Sequence, residues 1–221
     1  MIVHKGWDWD SVPDSFWEQP SADFLPVALD WAKRFQTAAD IGAGKGRHTF
    51  LLAGLGMQVT ACDLSESSIR FIRARNAAAG GSVTAQQADM TALPFAAECF
   101  DCAVCFHTVF HTDYAGMKLA LSELRRILKP EGELFVTFNS KESPSASEGT
   151  RVDGYTVIKT EGSEKGIPHS YIGFSDIPEL MPGFSLINVR QIRDYICGGQ
   201  PTGGIHYYVH ARKTGSAATE G

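Results

Sequence analysis

The 221-residue sequence predicts an α/β protein whose mostly parallel sheet is covered by helices on both faces. Three observations carry that prediction. Short apolar runs alternate with helical patterns as far as residue 139, the signature of strand–helix–strand units. The first run, residues 38–41, passes directly into "GAGKG", a turn dense in glycine of the kind used where a backbone must come close to something. Met117, Leu121, Leu124 and Leu128 recur at +4, +3 and +4, which gives one covering helix a single apolar stripe.

The elements follow in order. Residues 1–37 hold all four tryptophans, Trp7, Trp9, Trp17 and Trp31. Trp31, within "LPVALDWAKRF", is expected to pack on the sheet. Trp7, Trp9, Phe16 and Trp17 are less regular and read either as plain core or as a lid that excludes water. After the first strand, a helix over about residues 46–55 leads to a second strand, "MQVTAC". Ser65 is placed to cap a helix that runs to about residue 79 and closes at Gly80-Gly81. "SVTAQQ" and "FDCAVCF" are the third and fourth strands. The amphipathic helix comes next, and "LKPEGEL" turns the chain into a fifth strand, "GELFVTF". Connections between parallel strands should be right-handed.

Beyond residue 139 the character changes. "NSKESPSASEGTR" is polar and loop-like, "YTVIKT" is a short added strand, and "FSDIPEL" makes one or two helical turns. "FSLINVRQIRDY" and "GGIHYYVHARK" alternate with period two and are expected to be two final antiparallel strands. Residues 214–221 read as a flexible tail.

Composition narrows the function. Hydrophobic residues make up 43% and charged residues 20%, with a net charge of -5, so nothing resembles a phosphate-tracking surface and nucleic acid is not expected as a partner. No apolar run approaches the roughly 18 residues of a membrane span, and "MIVHKGWDWD" is not a signal peptide. The five cysteines sit mostly in apolar runs, which fits free thiols in a cytoplasmic protein. Cys99, Cys102 and Cys105 spell C-x-x-C-x-x-C, but residues three apart on a strand point to opposite faces. His206 and His210 share a face yet lie about 13 Å apart by strand rise. No metal is expected.

The glycine turn decides the ligand class. A P-loop needs Lys followed by Ser or Thr, whereas Lys45 is followed by Gly46 and Arg47. A dinucleotide fingerprint needs a small residue where Arg47 stands. Asp40, just before the first glycine, suits a ligand carrying an amino group. Asp63, at the end of the second strand, can accept both hydroxyl protons of a ribose. Asp89 can bond an adenine amino group while Ala88 and Met90 flank the ring.

Together, "ADIGAGKGR", "ACDLS", "QQADMTALPF", "FDCAVCFHTVFH" and "ELRRILKPEGELFVTF" resemble the class I S-adenosylmethionine-dependent methyltransferases over residues 38–139. The stretch around Arg47 looks most like the tellurite-resistance and small-molecule branch. The resemblance implies a Rossmann-like sheet of seven strands, order 3-2-1-4-5-7-6, with strand seven antiparallel. It implies S-adenosylmethionine as cofactor, with Asp40 and residues Gly42, Ala43, Gly44 and Gly46 around its methionine part. Asp63 would hold the ribose, Asp89 and Met90 the adenine, and Phe106 and His107 the rim beside the sulfonium. Ile41, Arg47, Leu64 and Ala88 complete the expected cofactor contacts.

His107 and His111 follow the fourth strand at the pocket mouth, where each is either a general base or a packing residue. His169 and Tyr171 fall where this family commonly lines its substrate pocket, and Arg151 is a candidate for an anionic substrate. Trp9 and Trp17 are the candidate lid side chains. One domain is expected over residues 1–213: an aromatic cap (1–37), a cofactor-binding core (38–139) and a substrate-side segment (140–213). The expected reaction is methyl transfer to a small molecule. A protein or RNA methyltransferase and a non-catalytic cofactor-binding protein are the alternatives.

Overall fold

The computed structural model describes residues 5, 7, 9, 18–78, 81–162, 164–195 and 201–215. In chain order the strands are β1 (Thr37–Ile41), β2 (Gln58–Asp63), β3 (Val83–Gln87), β4 (Phe100–Cys105), β5 (Leu128–Ser140), β6 (Thr150–Arg151), β7 (Thr156–Ile158), β8 (Pro168–Ile172), β9 (Phe184–Tyr195) and β10 (Pro201–Lys213). The helices are α1 (Leu25–Arg34), α2 (Arg47–Gly54), α3 (Glu66–Ala78), α4 (Tyr114–Ile127) and α5 (Ile177–Leu180). Strands β3, β2, β1, β4 and β5 pair in parallel, in that order. β10 then pairs antiparallel with β5, and β9 antiparallel with β10. Along this path the order is the expected one, with the last strand inserted antiparallel.

Burial separates two apolar layers. Phe24, Trp31, Leu52, Ile69, Ile72 and Cys102 pack together on one side, and Met117, Leu121, Leu124, Phe138 and Cys105 on the other. Cys102 and Cys105 therefore face opposite ways, as strand alternation requires. On α4, Asp113 caps the first turn by accepting the Gly116 N–H at 2.8 Å. Each large α4 side chain buried from the stripe contributes about 1.5–3 kcal/mol. Leu128 belongs to β5, not to the helix.

Two local expectations are corrected, and one strand is found that the sequence did not announce. "LKPEGEL" is not a turn: β5 runs through it as a bulge, where β4 advances from Phe100 to Cys102 while β5 advances from Leu128 to Glu133. Glu131 takes the strained step, with φ 62°. The Ser65 hydroxyl meets the Ser67 hydroxyl at 2.9 Å, and the Ser65 N–H donates to Asp63, so Ser65 is held by the strand end rather than capping α3 with its side chain. Finally, "PHSYI" is a strand. β8 pairs in parallel with the very end of β5 (Asn139↔Tyr171) and antiparallel with β7, so the sheet forks where β5 runs past the end of β4 while still paired with β10.

Glu133 anchors this arrangement from within the sheet. Its carboxylate, 1% exposed, accepts from Trp31 Nε1 (2.8 Å), Arg34 Nη2 (2.9 Å), His210 Nε2 (2.8 Å) and Arg212 Nη2 (3.0 Å). Burial alone would raise its pKa, but bonds from Arg34, Trp31, His210 and Arg212 override it and hold the carboxyl at about 2. One side chain thereby ties α1, β5 and β10 together.

Candidate active site

The carboxyl ends of parallel strands are where an open α/β sheet leaves a crevice. Here they open into a cavity of about 580 Å³. Its first wall is the glycine turn. The N–H groups of Gly42 and Ala43 both donate to the Cys62 carbonyl, at 2.8 and 2.9 Å, which pins the turn against β2. Gly42 has φ +71°, and a Cβ there would lie 2.1 Å from the Thr108 methyl carbon. Gly44 has φ +55°, with space for a Cβ already taken by the Trp9 ring at 2.6 Å. Only glycine meets both conditions.

Asp63 forms the floor beside the turn. One carboxylate oxygen accepts the Gly44 N–H at 2.8 Å, the other the Ser65 N–H at 2.9 Å. Burial raises its pKa, and the N–H groups of Ser65 and Gly44 oppose that rise. Each oxygen keeps a further acceptor direction, so the pair suits two adjacent hydroxyls. Leu64, Ala88, Asp89 and Met90 continue the same wall. Asp89 accepts both the N–H and the hydroxyl of Thr91 at 2.8 Å, fixing its carboxylate at the wall. A tight backbone turn next to the paired buried acceptors of Asp63 gives room and acceptors that fit an adenosine bearing an amino-acid tail.

On the facing rim, the Arg47 guanidinium lies 4.9 Å from the Phe106 ring centroid. His107 takes φ 51°, donates its N–H to Thr137 Oγ1 at 2.6 Å, and stacks between Phe106 (4.4 Å) and His206 (4.3 Å). Burial drives its pKa well below the ordinary value, so the ring is neutral.

The remaining wall is aromatic. Trp7 meets His111 at 5.9 Å, and His111 meets Phe110 and His169 at 4.6 Å each. Burial lowers the pKa of His111 to about 4 and of His169 to about 2, so both imidazoles are uncharged near neutrality. Asn139, Tyr171 and His206 line the same end. The cavity thus joins the glycine turn to a chamber of neutral rings.

Most residues singled out from the sequence meet at this cavity: Ile41, Gly42, Ala43, Gly44, Arg47, Asp63, Leu64, Ala88, Asp89, Met90, Phe106, His107, His111, His169, Tyr171 and Trp9. Three do not. Asp40 is 2% exposed and turned beneath the turn, where it accepts the Thr49 hydroxyl at 2.6 Å; burial raises its pKa to about 6. It braces the start of α2 rather than lining the wall. Gly46 caps α2 and packs on Phe50 and Ile72. Arg151 is exposed on β6 and donates to the Asp153 carbonyl at 3.4 Å, away from the cavity. Trp17 and Phe16 lie outside the described residues.

Sequence reasoning missed Asn139 and His206, which stand opposite each other across β5 and β10. Period two placed His206 on one face of its strand, but only the β5–β10 register brings it to the cavity. Glu164 and Lys159 were missed too, because β8 was not recognised as the strand that carries their loop inward. Among the described residues, no group of three His, Cys, Asp or Glu is arranged to hold a metal, and no helix is long and apolar enough to cross a membrane.

Comparison with known proteins follows the same division. Residues 39–136 match the family model described as methyltransferase domain. A malonyl-[acyl-carrier protein] O-methyltransferase from Salmonella typhimurium is 32% identical over 160 residues, covering 71% of this chain and 61% of its own. A solved S-adenosylmethionine-dependent methyltransferase from Methanosarcina mazei superposes with TM-score 0.73 at 18% identity, covering 86% of this chain and 97% of its own. The 1,6-didemethyltoxoflavin-N1-methyltransferase of Burkholderia thailandensis, solved with its substrate and S-adenosylhomocysteine, gives TM-score 0.66 at 20% identity over 88% of this chain and 78% of its own. At such identities the solved structures establish the fold. The chain spans between 50% and 64% of the length of the first curated relatives it matches.

Proposed function

We propose that the chain is a class I S-adenosylmethionine-dependent methyltransferase and transfers the cofactor's methyl group to a small molecule held in the aromatic chamber. The single observation behind this reading is the continuity of the cavity from the glycine turn and Asp63 to His111 and His169. When bound, S-adenosylmethionine supplies an electrophilic methyl on a sulfonium. Because the bound cofactor would already carry its leaving group, the chain's own work would be alignment of the acceptor and exclusion of water.

Gly42 and Gly44 let the turn pack against Thr108 and Trp9, and the cofactor's amino-acid tail would lie along this turn. Asp63 holds the ribose hydroxyls, and Asp89 and Met90 hold the adenine. Phe106 and His107 stand at the rim beside the proposed sulfonium position, with His107 held between the Phe106 and His206 rings and Arg47 over Phe106. His111 and His169 stand on the acceptor side as neutral imidazoles able to take a hydrogen bond from a hydroxyl or amine.

The N-terminal segment is proposed as the cap. It touches the rim at three points: Trp9 on Gly44, Trp7 against His111, and Lys5 Nζ on the Lys165 carbonyl at 3.2 Å. We place a core over residues 38–139 and a substrate-side segment over residues 140–213 as part of this proposal, together with a cytoplasmic location, which the buried free thiols of Cys62, Cys102 and Cys105 suit. The Burkholderia protein, a fold neighbour, binds 1,6-didemethyltoxoflavin, and a small acceptor here is in keeping with that.

The test is incubation with methyl-labelled S-adenosylmethionine and separated small-molecule, protein and RNA fractions of a cell extract. Label is expected in the small-molecule fraction. Label confined to protein or RNA would overturn the acceptor class, and none anywhere would leave a binding protein.

A further inference from the structure

Building on that reading, we infer that the acceptor is a flat aromatic compound without negative charge, seated against Asn139 and His169. Three independent features of the chamber's far end lead there. The first is shape. His111 and His169 meet edge to face at 4.6 Å, and His169 and Tyr171 lie nearly parallel at 6.4 Å. With Trp7 and Phe110 they form flat walls that a planar ring covers with less ordering entropy than a flexible chain.

The second is a pair of unsatisfied atoms. Asn139 is 5% exposed and His169 4% exposed, yet Asn139 Nδ2 and His169 Nε2 make no hydrogen bond among the described residues. A buried polar atom left so is destabilising, and a ligand's own polar edge removes that cost. Asn139 Nδ2 is a donor and asks for a carbonyl or ring nitrogen. His169 Nε2 takes a hydroxyl or N–H, according to its tautomer.

The third is charge. Glu148, Glu161 and Glu164 line this end, and Glu164 Oε1 stands 3.6 Å from His169 Nε2. Lys159 donates to the Ser145 carbonyl at 2.9 Å and stands 3.7 Å from Glu148, and its charge also reaches Glu164 and His169. Lys5 donates to the Lys165 carbonyl. Three carboxylates thus face the two ammonium groups of Lys5 and Lys159, and it is Glu164 that makes the contact to His169. An acceptor carboxylate or phosphate placed there would meet a like charge at short range, which is discriminated against. Arg151, exposed on β6, does not supply one.

Calorimetric titration of the S-adenosylhomocysteine-saturated protein with two matched probes tests this. 7-Hydroxycoumarin-3-carboxamide is expected to bind at least about 10-fold more tightly than 7-hydroxycoumarin-3-carboxylate. Glu164→Gln, a conservative change at a partly exposed position, is expected to raise the carboxylate's affinity about 5-fold and narrow that gap. Equal or tighter binding of the carboxylate, or a gap untouched by Glu164→Gln, would overturn the charge selection. Binding of neither coumarin while S-adenosylhomocysteine binds would overturn the aromatic acceptor and leave the methyltransferase reading standing. Failure of S-adenosylhomocysteine itself to bind would overturn both.

Discussion

Replacing Asp63 by Ala is expected to weaken S-adenosylhomocysteine binding by about 10²- to 10⁴-fold. Two ribose hydroxyls donating to a buried carboxylate make charge-assisted hydrogen bonds worth about 1.5–3 kcal/mol each. Asp63 is suited to that load because it is held from behind, with Gly44 and Ser65 each filling one direction on one oxygen. The carboxylate is therefore already oriented, and little entropy is lost when the diol arrives. The Ala variant also frees the Gly44 N–H, so part of the loss comes from a loosened turn. Asp63→Asn separates the two contributions. An amide oxygen can accept one backbone N–H and one hydroxyl, so its affinity should fall between wild type and Ala. Calorimetric titration reads the affinities, and circular dichroism checks that each variant is folded. An Asp63→Ala protein with unchanged affinity would sink the ribose assignment.

Loss of Glu133 is expected to be the largest stability effect in the molecule outside the apolar core. Glu133→Ala removes one carboxylate that serves Trp31, Arg34, His210 and Arg212 at once. Breaking a buried ion pair by deleting one partner costs about 3–5 kcal/mol. For a chain of this size that lowers Tm by about 6–20 °C. The pH dependence has a definite sign. The folded pKa of about 2 lies below the ordinary 4.5, so the ionised form stabilises the fold above pH 4.5, and that stabilisation disappears as pH falls towards 2. The separation corresponds to about 3 kcal/mol. Thermal melts of wild type and Glu133→Gln should therefore differ most near neutrality and converge between pH 5 and 2. A difference independent of pH would show that packing, not charge, makes Glu133 important.

Neither role was equally visible in the sequence. Asp63 was legible because it ends a strand beside a turn that must bind something, and both features are local. Glu133 was not, because its partners sit on α1 and β10 and only the register of β10 on β5 assembles them. The parallel half of the sheet followed from apolar runs and turns, again local signals. β8 escaped because all five of its residues are buried, so no alternation marks it. The β5 bulge escaped because Pro130 and Gly132 resemble a turn whether or not the strand continues past them. Asp40 shows the limit at single-residue scale. Its place before the glycines suited a ligand contact, but strand alternation turns its carboxylate to Thr49 while the neighbouring Ile41 lines the cavity. Asn139 and His206 carry no motif, and they become site residues only when the ends of two distant strands meet.

The reading of the glycine turn as a seat for an adenosine with an amino-acid tail is tested most directly by titrating the wild-type protein with S-adenosylhomocysteine and, separately, with NAD. S-adenosylhomocysteine should bind one molecule per chain and raise Tm with increasing concentration, as any ligand selective for the folded state must. NAD should do neither, since Arg47 stands where a pyrophosphate-binding helix needs a small residue. Saturable binding of NAD with no binding of S-adenosylhomocysteine would contradict the assignment.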